Sequence, residues 1–116
     1  MTDIQKLQKV KELVKSSGGK LRIREVKSRK DPFPSGFSSI GQKKINIYCQ
    51  SIAKCPNLVA SMLIHEFGHY ILDHHHNVVD HTERAAWDIG KLNVPKDCIP
   101  TNFKGFMHHC LDSYDE

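Results

Sequence analysis

The stretch whose reading decides the fold runs from Leu58 to His76, LVASMLIHEFGHYILDHHH. At its centre His65-Glu66-Phe67-Gly68-His69 has the H-E-x-x-H pattern. Val59, Met62, Leu63, Ile64, Phe67, Tyr70, Ile71 and Leu72 surround that pattern on nearly all sides, which predicts a helix buried inside a small domain. Residues four apart on a helix lie about one turn and roughly 6 Å along the axis from each other, so the two imidazoles can reach one tetrahedral cation. Glu66 follows His65 by about 100° around the axis, which puts its carboxylate beside such an ion rather than on it.

That spacing matches a division of labour. Neutral imidazoles hold zinc, the pKa of a zinc-bound water falls towards about 7, and a neighbouring carboxylate takes the proton. Three fixed identities in five residues are of moderate specificity by themselves, and the apolar setting strengthens them. The competing reading makes His65 and His69 hydrogen-bonded core histidines and Glu66 a surface residue. Burying polar groups without partners costs about 1–3 kcal/mol each, and one Zn2+ ion removes that cost for both imidazoles. The expectation is one zinc ion held by His65 and His69, with Glu66 as the general base.

A third protein ligand has several candidates. His75 has the spacing of a metzincin ligand, but Leu72 stands where a glycine turn would be needed, so the helix continues and His75 points away. His76 falls on the ligand face but lies about 16 Å along the axis from His65. After the polar run from His74 to Thr82, the segment Glu83-Arg84-Ala85-Ala86-Trp87-Asp88-Ile89-Gly90-Lys91-Leu92 has helical composition, with Glu83 in its first turn. An antiparallel helix there would bring Glu83 to the metal; a bland alternative is that Glu83 complements the helix dipole.

HEFGHYILDH followed by ERAAWDIGKLNVP resembles the ImmA/IrrE-type zinc metallopeptidases, a gluzincin-like group common in phages, mobile elements and bacteria. The resemblance covers roughly residues 45–95 and extends weakly to Cys110-Leu111-Asp112-Ser113-Tyr114. It implies that Glu83 is the third ligand, that His74 is the family's further histidine, that Ala86 and Trp87 are packing positions, and that Val94-Pro95 ends the helix. Asp73 stands where the family often has Gly. The resemblance further implies a protein or peptide substrate, often a transcriptional repressor. No helix-turn-helix is evident in the sequence.

The 116 residues suit one domain, residues 1–116, burying about 60–70% of its unfolded surface. Apolar and charged contents of 39% and 26% are those of an ordinary globular chain, which excludes a disordered or fibrous one. There is no run long enough to span a membrane and no apolar signal-peptide core, so a cytoplasmic location and no membrane partner are expected. Cys49, Cys55, Cys98 and Cys110 lack C-x-x-C spacing and are expected as reduced thiols. A second zinc site from Cys98, Cys110, His108 and His109 is disfavoured because the close ligand pairs of a structural site are absent.

The net charge of +4 is unevenly spread. Residues 1–44 hold twelve Lys/Arg against four Asp/Glu, a net +8, and residues 45–116 a net −4. A basic segment such as Lys27-Ser28-Arg29-Lys30 suits nucleic acid or an acidic partner. A solvated surface explains it more simply, because no aromatic residues are interleaved with the charges as base stacking would need.

In chain order, Thr2 to Ser16 carries Ile4, Leu7, Val10, Leu13 and Val14 at helical spacing, with Thr2 and Gln5 able to form a capping box. Leu21 to Val26 alternates as a strand. Lys27 to Ser35, with Asp31-Pro32-Phe33-Pro34, reads as a loop near the cleft. Gly36 to Ile40, a Gly41-Gln42-Lys43 turn and Lys44 to Cys49 make a hairpin, whose 45–49 strand is the candidate sheet edge for a peptide substrate or, equally, an ordinary structural strand. Cys55-Pro56-Asn57 opens the central helix, and Asn102 to Tyr114 reads as a last helix.

The sequence therefore predicts an α+β fold: a small antiparallel sheet packed with an N-terminal helix, two metal-bearing helices and a C-terminal helix. Its expected activity is zinc-dependent peptide hydrolysis by a metal-bound water, with Glu66 as base and His65, His69 and Glu83 as ligands. Asp73 and Asp88 are candidates to hold a ligand imidazole through its other nitrogen. Tyr48, His81 and Tyr114 are candidates to stabilise the oxyanion. The alternative is a non-catalytic, zinc-stabilised regulator that binds nucleic acid or protein through its basic half.

Overall fold

In the computed structural model, residues 1–39, 41–74 and 82–114 are described, together with the side chains of all but His74 and Tyr114 among them. Ile40, His75, His76, Asp80 and His81 lie outside the described residues.

The first helix, α1 (Asp3–Ser16), begins as its sequence requires. Thr2 Oγ1 accepts from the Gln5 N–H, and Gln5 Oε1 accepts from the Thr2 N–H at 2.8 Å, so the capping box is complete. Leu7, Val10 and Val14 form its buried stripe. The chain then turns through Gly18 at φ +87° into β1 (Lys20–Glu25). β2 (Ser35–Ser39) and β3 (Lys44–Cys49) form the hairpin expected from the Gly41-Gln42-Lys43 turn.

The strand order is β1-β3-β2, with β3 parallel to β1 and antiparallel to β2. The sheet is therefore mixed, where an antiparallel sheet was expected. The loop containing Pro32 and Pro34 carries the chain past the place of β3, and the hairpin brings β3 back into the middle. Burial explains the order. Ile45, Ile47 and Cys49 of β3 are fully buried, whereas Leu21 and Ile23 of β1 are half-buried, and the most apolar strand takes the position flanked on both sides. Consequently the 45–49 strand is not a free edge, and the expectation that it receives substrate is corrected: β2 is the outer strand on the hairpin side.

Helix α2 (Pro56–His74) lies over the sheet and carries Val59, Leu63, Ile64 and Phe67 into the core. It continues through Leu72, as expected of a sequence without a glycine turn there. Helix α3 (Glu83–Leu92) is capped by Thr82, whose hydroxyl accepts from the Ala85 N–H. Gly68 approaches Ala86 while Gly90 approaches Ile64, an inverse order that makes α2 and α3 antiparallel. A short 3-10 turn at Lys96–Cys98 leads to α4 (Phe103–Tyr114), whose Phe103 and Phe106 pack edge-on against Trp87. None of the described helices is long and apolar enough to cross a membrane.

Candidate metal centre

The contact between α2 and α3 is unusually close, and glycine makes it so. A Cβ on Gly68 would stand 1.8 Å from the Ala86 carbonyl oxygen, and one on Gly90 would stand 2.1 Å from that of Ile64. With backbone against backbone, the first turn of α3 is held over the motif of α2. Glu83 Oε2 consequently lies 2.6 Å from His65 Nε2 and 3.2 Å from His69 Nε2.

His65, His69 and Glu83 form a group whose ligand atoms all lie within 4.8 Å of one another. Donors around a tetrahedral zinc stand about 3.3 Å apart, given bonds of about 2.0–2.1 Å, so this set is close to the spacing a small divalent ion requires. The donor chemistry fits as well: two imidazole nitrogens and one carboxylate oxygen point at a common place. His65 is almost wholly buried, whereas the Glu83 side chain keeps 35% of its exposure, so the group opens to solvent on its Glu83 side.

The electrostatics express the same convergence. Hydrogen bonds from His65 and then His69 hold the Glu83 carboxyl down at about 2, well below its usual 4.5. Burial alone would lower the pKa of His69, but the hydrogen bond with Glu83 and the nearby Glu66 and Glu83 carboxylates raise it above its usual value.

His65 is clamped between the carboxylate and an aromatic wall. Its ring stacks on Trp87 with centroids 4.4 Å apart and planes 9° from parallel. The expected carboxylate or carbonyl on its other nitrogen is not found: among the described residues Nδ1 has no hydrogen-bond partner, and the nearest carboxylate oxygen, Glu66 Oε1, is 3.5 Å away. Asp88 stands on the exposed side of α3, lining a surface groove with Lys91, Leu92 and Ile99, so it does not serve that purpose. Asp73 accepts from the Gly41 N–H at 3.1 Å and ties the hairpin turn to α2.

Glu66 is buried beside the group and is gripped by a residue that sequence reasoning missed. Ser38 Oγ lies 2.7 Å from Glu66 Oε2 and 3.1 Å from the Glu66 carbonyl oxygen. Alternation along β2 could have pointed to Ser38 as inward-facing, but nothing local says that its neighbour is the motif. A cleft of about 240 Å3 runs past Glu66 between β2 and α4, with Phe33, Met62, Phe106 and Cys110 in its wall. The Phe33 loop borders the cleft as expected. Burial, followed by the Glu83 and Asp31 carboxylates, pushes the Cys110 thiol up to about 11 and keeps it neutral.

Of the oxyanion candidates, Tyr48 is excluded by the sheet. It alternates with the inward-facing Ile47 and Cys49 and stacks on the exposed Phe37, on the face away from Glu66. His81 and the Tyr114 side chain are outside the described residues. All four cysteines are free thiols, and among the described residues Cys98, Cys110, His108 and His109 form no second metal group. Comparison of the chain with protein-family models, with curated proteins and with solved structures finds no match.

Proposed function

We propose that this chain is a zinc-dependent peptidase in which His65, His69 and Glu83 hold the ion and Glu66 is the general base. The observation that carries the reading is the convergence of both Nε2 atoms on a single oxygen of Glu83, with a buried, hydrogen-bonded Glu66 alongside. Zinc held there supplies Lewis acidity, which polarises a peptide carbonyl and makes water a stronger acid.

The chain's own groups account for the proton. While Glu66 is ionised, Ser38 donates its hydroxyl proton to Oε2. As water oxygen bonds to the peptide carbon, Glu66 takes the water's proton. If that proton rests on Oε2, the carboxylic acid donates to Ser38 Oγ and the serine proton turns to the Glu66 carbonyl, 3.1 Å away, so no acceptor is stranded. Glu66 then passes the proton to the amine nitrogen as the carbon–nitrogen bond breaks, leaving an acid and an amine. The cleft past Glu66 offers an apolar wall for a substrate side chain, and β2, the outer strand beside it, offers an edge for an added peptide strand.

The resemblance to ImmA/IrrE-type enzymes supports a peptide substrate, with a transcriptional repressor as its natural form and the cytoplasm as its place of action. The test is metal analysis of natively purified protein, paired with cleavage of a proteome-derived peptide library. One zinc per chain is expected. Glu66→Gln should keep the zinc and abolish cleavage, and Glu83→Ala should lose the zinc. Native protein without zinc, or wild-type cleavage by Glu66→Gln, refutes the assignment.

A further inference from the structure

In the sequence, the cations of the N-terminal half have no aromatic neighbours. The sheet supplies them. Side chains of a strand alternate between its two faces, and Leu21, Ile23, Ile45, Ile47 and Ser38 turn towards the helices. The opposite face therefore carries Lys20, Arg22 and Arg24 from β1, Lys44 and Tyr48 from β3, and Phe37 from β2. The register joins them across the strands: Lys20 is opposite Lys44, Arg22 and Phe37 flank Asn46, and Arg24 is opposite Tyr48.

This surface has both ingredients of a base-stacking platform. Phe37 is 49% exposed, one of the few large apolar side chains so placed, and its ring lies 6.1 Å from that of Tyr48 at an interplanar angle of 22°. Lys20, Arg22 and Arg24 are exposed beside the pair, and among the described residues neither they nor the half-buried Lys44 are in an ion pair. None of the outward-facing positions is acidic. With strands about 4.8 Å apart and a rise of about 3.3 Å per residue, the face measures roughly 10 by 13 Å. That is room for about two or three nucleotides.

We propose that this open face of the sheet binds single-stranded nucleic acid, the Phe37–Tyr48 pair stacking on unpaired bases and Lys20, Arg22, Arg24 and Lys44 meeting the phosphates. Exposed rings favour unpaired bases, since a duplex keeps its base faces inside the stack and a single strand can lay them on the aromatic pair. An acidic peptide would satisfy the cations and leave the rings without a flat partner. The face is opposite the metal centre, so the proposal stands apart from the peptidase reading.

The test is fluorescence anisotropy of the zinc-loaded full chain with labelled dT12, with the dT12·dA12 duplex and with a Glu-rich peptide of equal length. The single strand should bind at least tenfold tighter than either competitor. Four phosphate contacts give a salt slope of about 3 in log Kd against log salt concentration. Arg22→Glu with Arg24→Glu should weaken binding at least tenfold and flatten that slope. Phe37→Leu, which keeps charge and apolar character, should weaken binding about fivefold or more with the slope unchanged, and Phe37→Tyr should retain it. Tighter binding of the duplex or the acidic peptide overturns the proposal, as does wild-type affinity in Phe37→Leu. Zinc content and circular dichroism, read on every variant, separate surface effects from misfolding.

Discussion

Replacing Gly68 with alanine tests whether the closeness of two helices creates the candidate metal centre. The added methyl would lie 1.8 Å from the Ala86 carbonyl oxygen and 2.6 Å from its carbon, whereas ordinary contact begins near 3.4 Å. Both partners are backbone, so no rotamer change relieves the clash, and α3 must withdraw by roughly 1.6 Å at Ala86. Glu83 lies one turn earlier on the same helix and moves with it, away from His65 and His69, now 2.6 and 3.2 Å distant. Alanine gains about 1 kcal/mol of helix propensity over glycine, while forced overpacking costs about 1–3 kcal/mol. The expected net loss is up to about 2 kcal/mol in urea unfolding of the metal-free protein. Zinc affinity, measured by competition with a chromogenic chelator, should fall about 10–100-fold, as when ligand-orienting groups are lost. Gly90→Ala is the internal control: it clashes with Ile64 at the far end of the same interface, about two turns from Glu83. It should destabilise comparably and weaken zinc binding less. A Gly68→Ala protein with wild-type stability and wild-type zinc affinity refutes the reasoning.

Ser38→Ala removes the hydroxyl that serves the Glu66 carboxylate. Hydrogen bonds to charged groups are worth about 1.5–3 kcal/mol, so kcat should drop about 10–150-fold with zinc content unchanged, and Ser38→Thr should restore most of it. In the metal-free protein, Glu83 has a depressed pKa and stabilises the fold above its usual 4.5, an effect lost as pH falls towards about 2. His69 has a raised pKa and contributes fully below its usual 6.5, an effect lost at higher pH. Denaturant titrations of chelator-treated protein should therefore give greatest stability between about pH 4.5 and 6.5, declining on either side, and a Glu83→Gln variant should lose the acid-side decline. Trp87 is the chain's one tryptophan and is stacked on His65, so zinc addition should change its emission and a chelator should reverse the change. Emission indifferent to zinc in protein shown to bind it would contradict the stacking.

Much of the fold was legible because its signals are local. The capping box at Thr2, the hairpin turn at Gly41 and Pro56 opening α2 are each specified within four residues, and each is present. Strand order was not legible, because alternation tells which side chains turn inward and nothing of which strand sits beside which. The information was spread over three segments. Only β3 has inward residues apolar enough to be wholly buried, and comparing Ile45, Ile47 and Cys49 with Leu21 and Ile23 favours β3 as the central strand.

The candidate site divides along the same line. His65, Glu66 and His69 are fixed to one another by helical pitch, so a five-residue pattern suffices to place them. Glu83 follows less directly, since eighteen residues separate it from His65 and the intervening chain says little about where α3 will lie. Its position rests on Gly68 and Gly90, which a motif search treats as filler and which allow the two helix backbones to touch. Ser38 and the Phe37–Tyr48 pair were invisible for a different reason: their meaning comes from neighbours across the sheet, Glu66 on one face and Arg22 and Arg24 on the other. Adjacent residues of β2 thus face opposite ways. Ser38 turns inward to the carboxylate and Phe37 outward to solvent, so a one-residue slip of that strand would strip Glu66 of its partner and bury the exposed ring at once. Register in β2 is therefore the structural quantity on which both surfaces jointly depend, and the Gly41 N–H donated to Asp73 on α2 is one of the contacts that fix it.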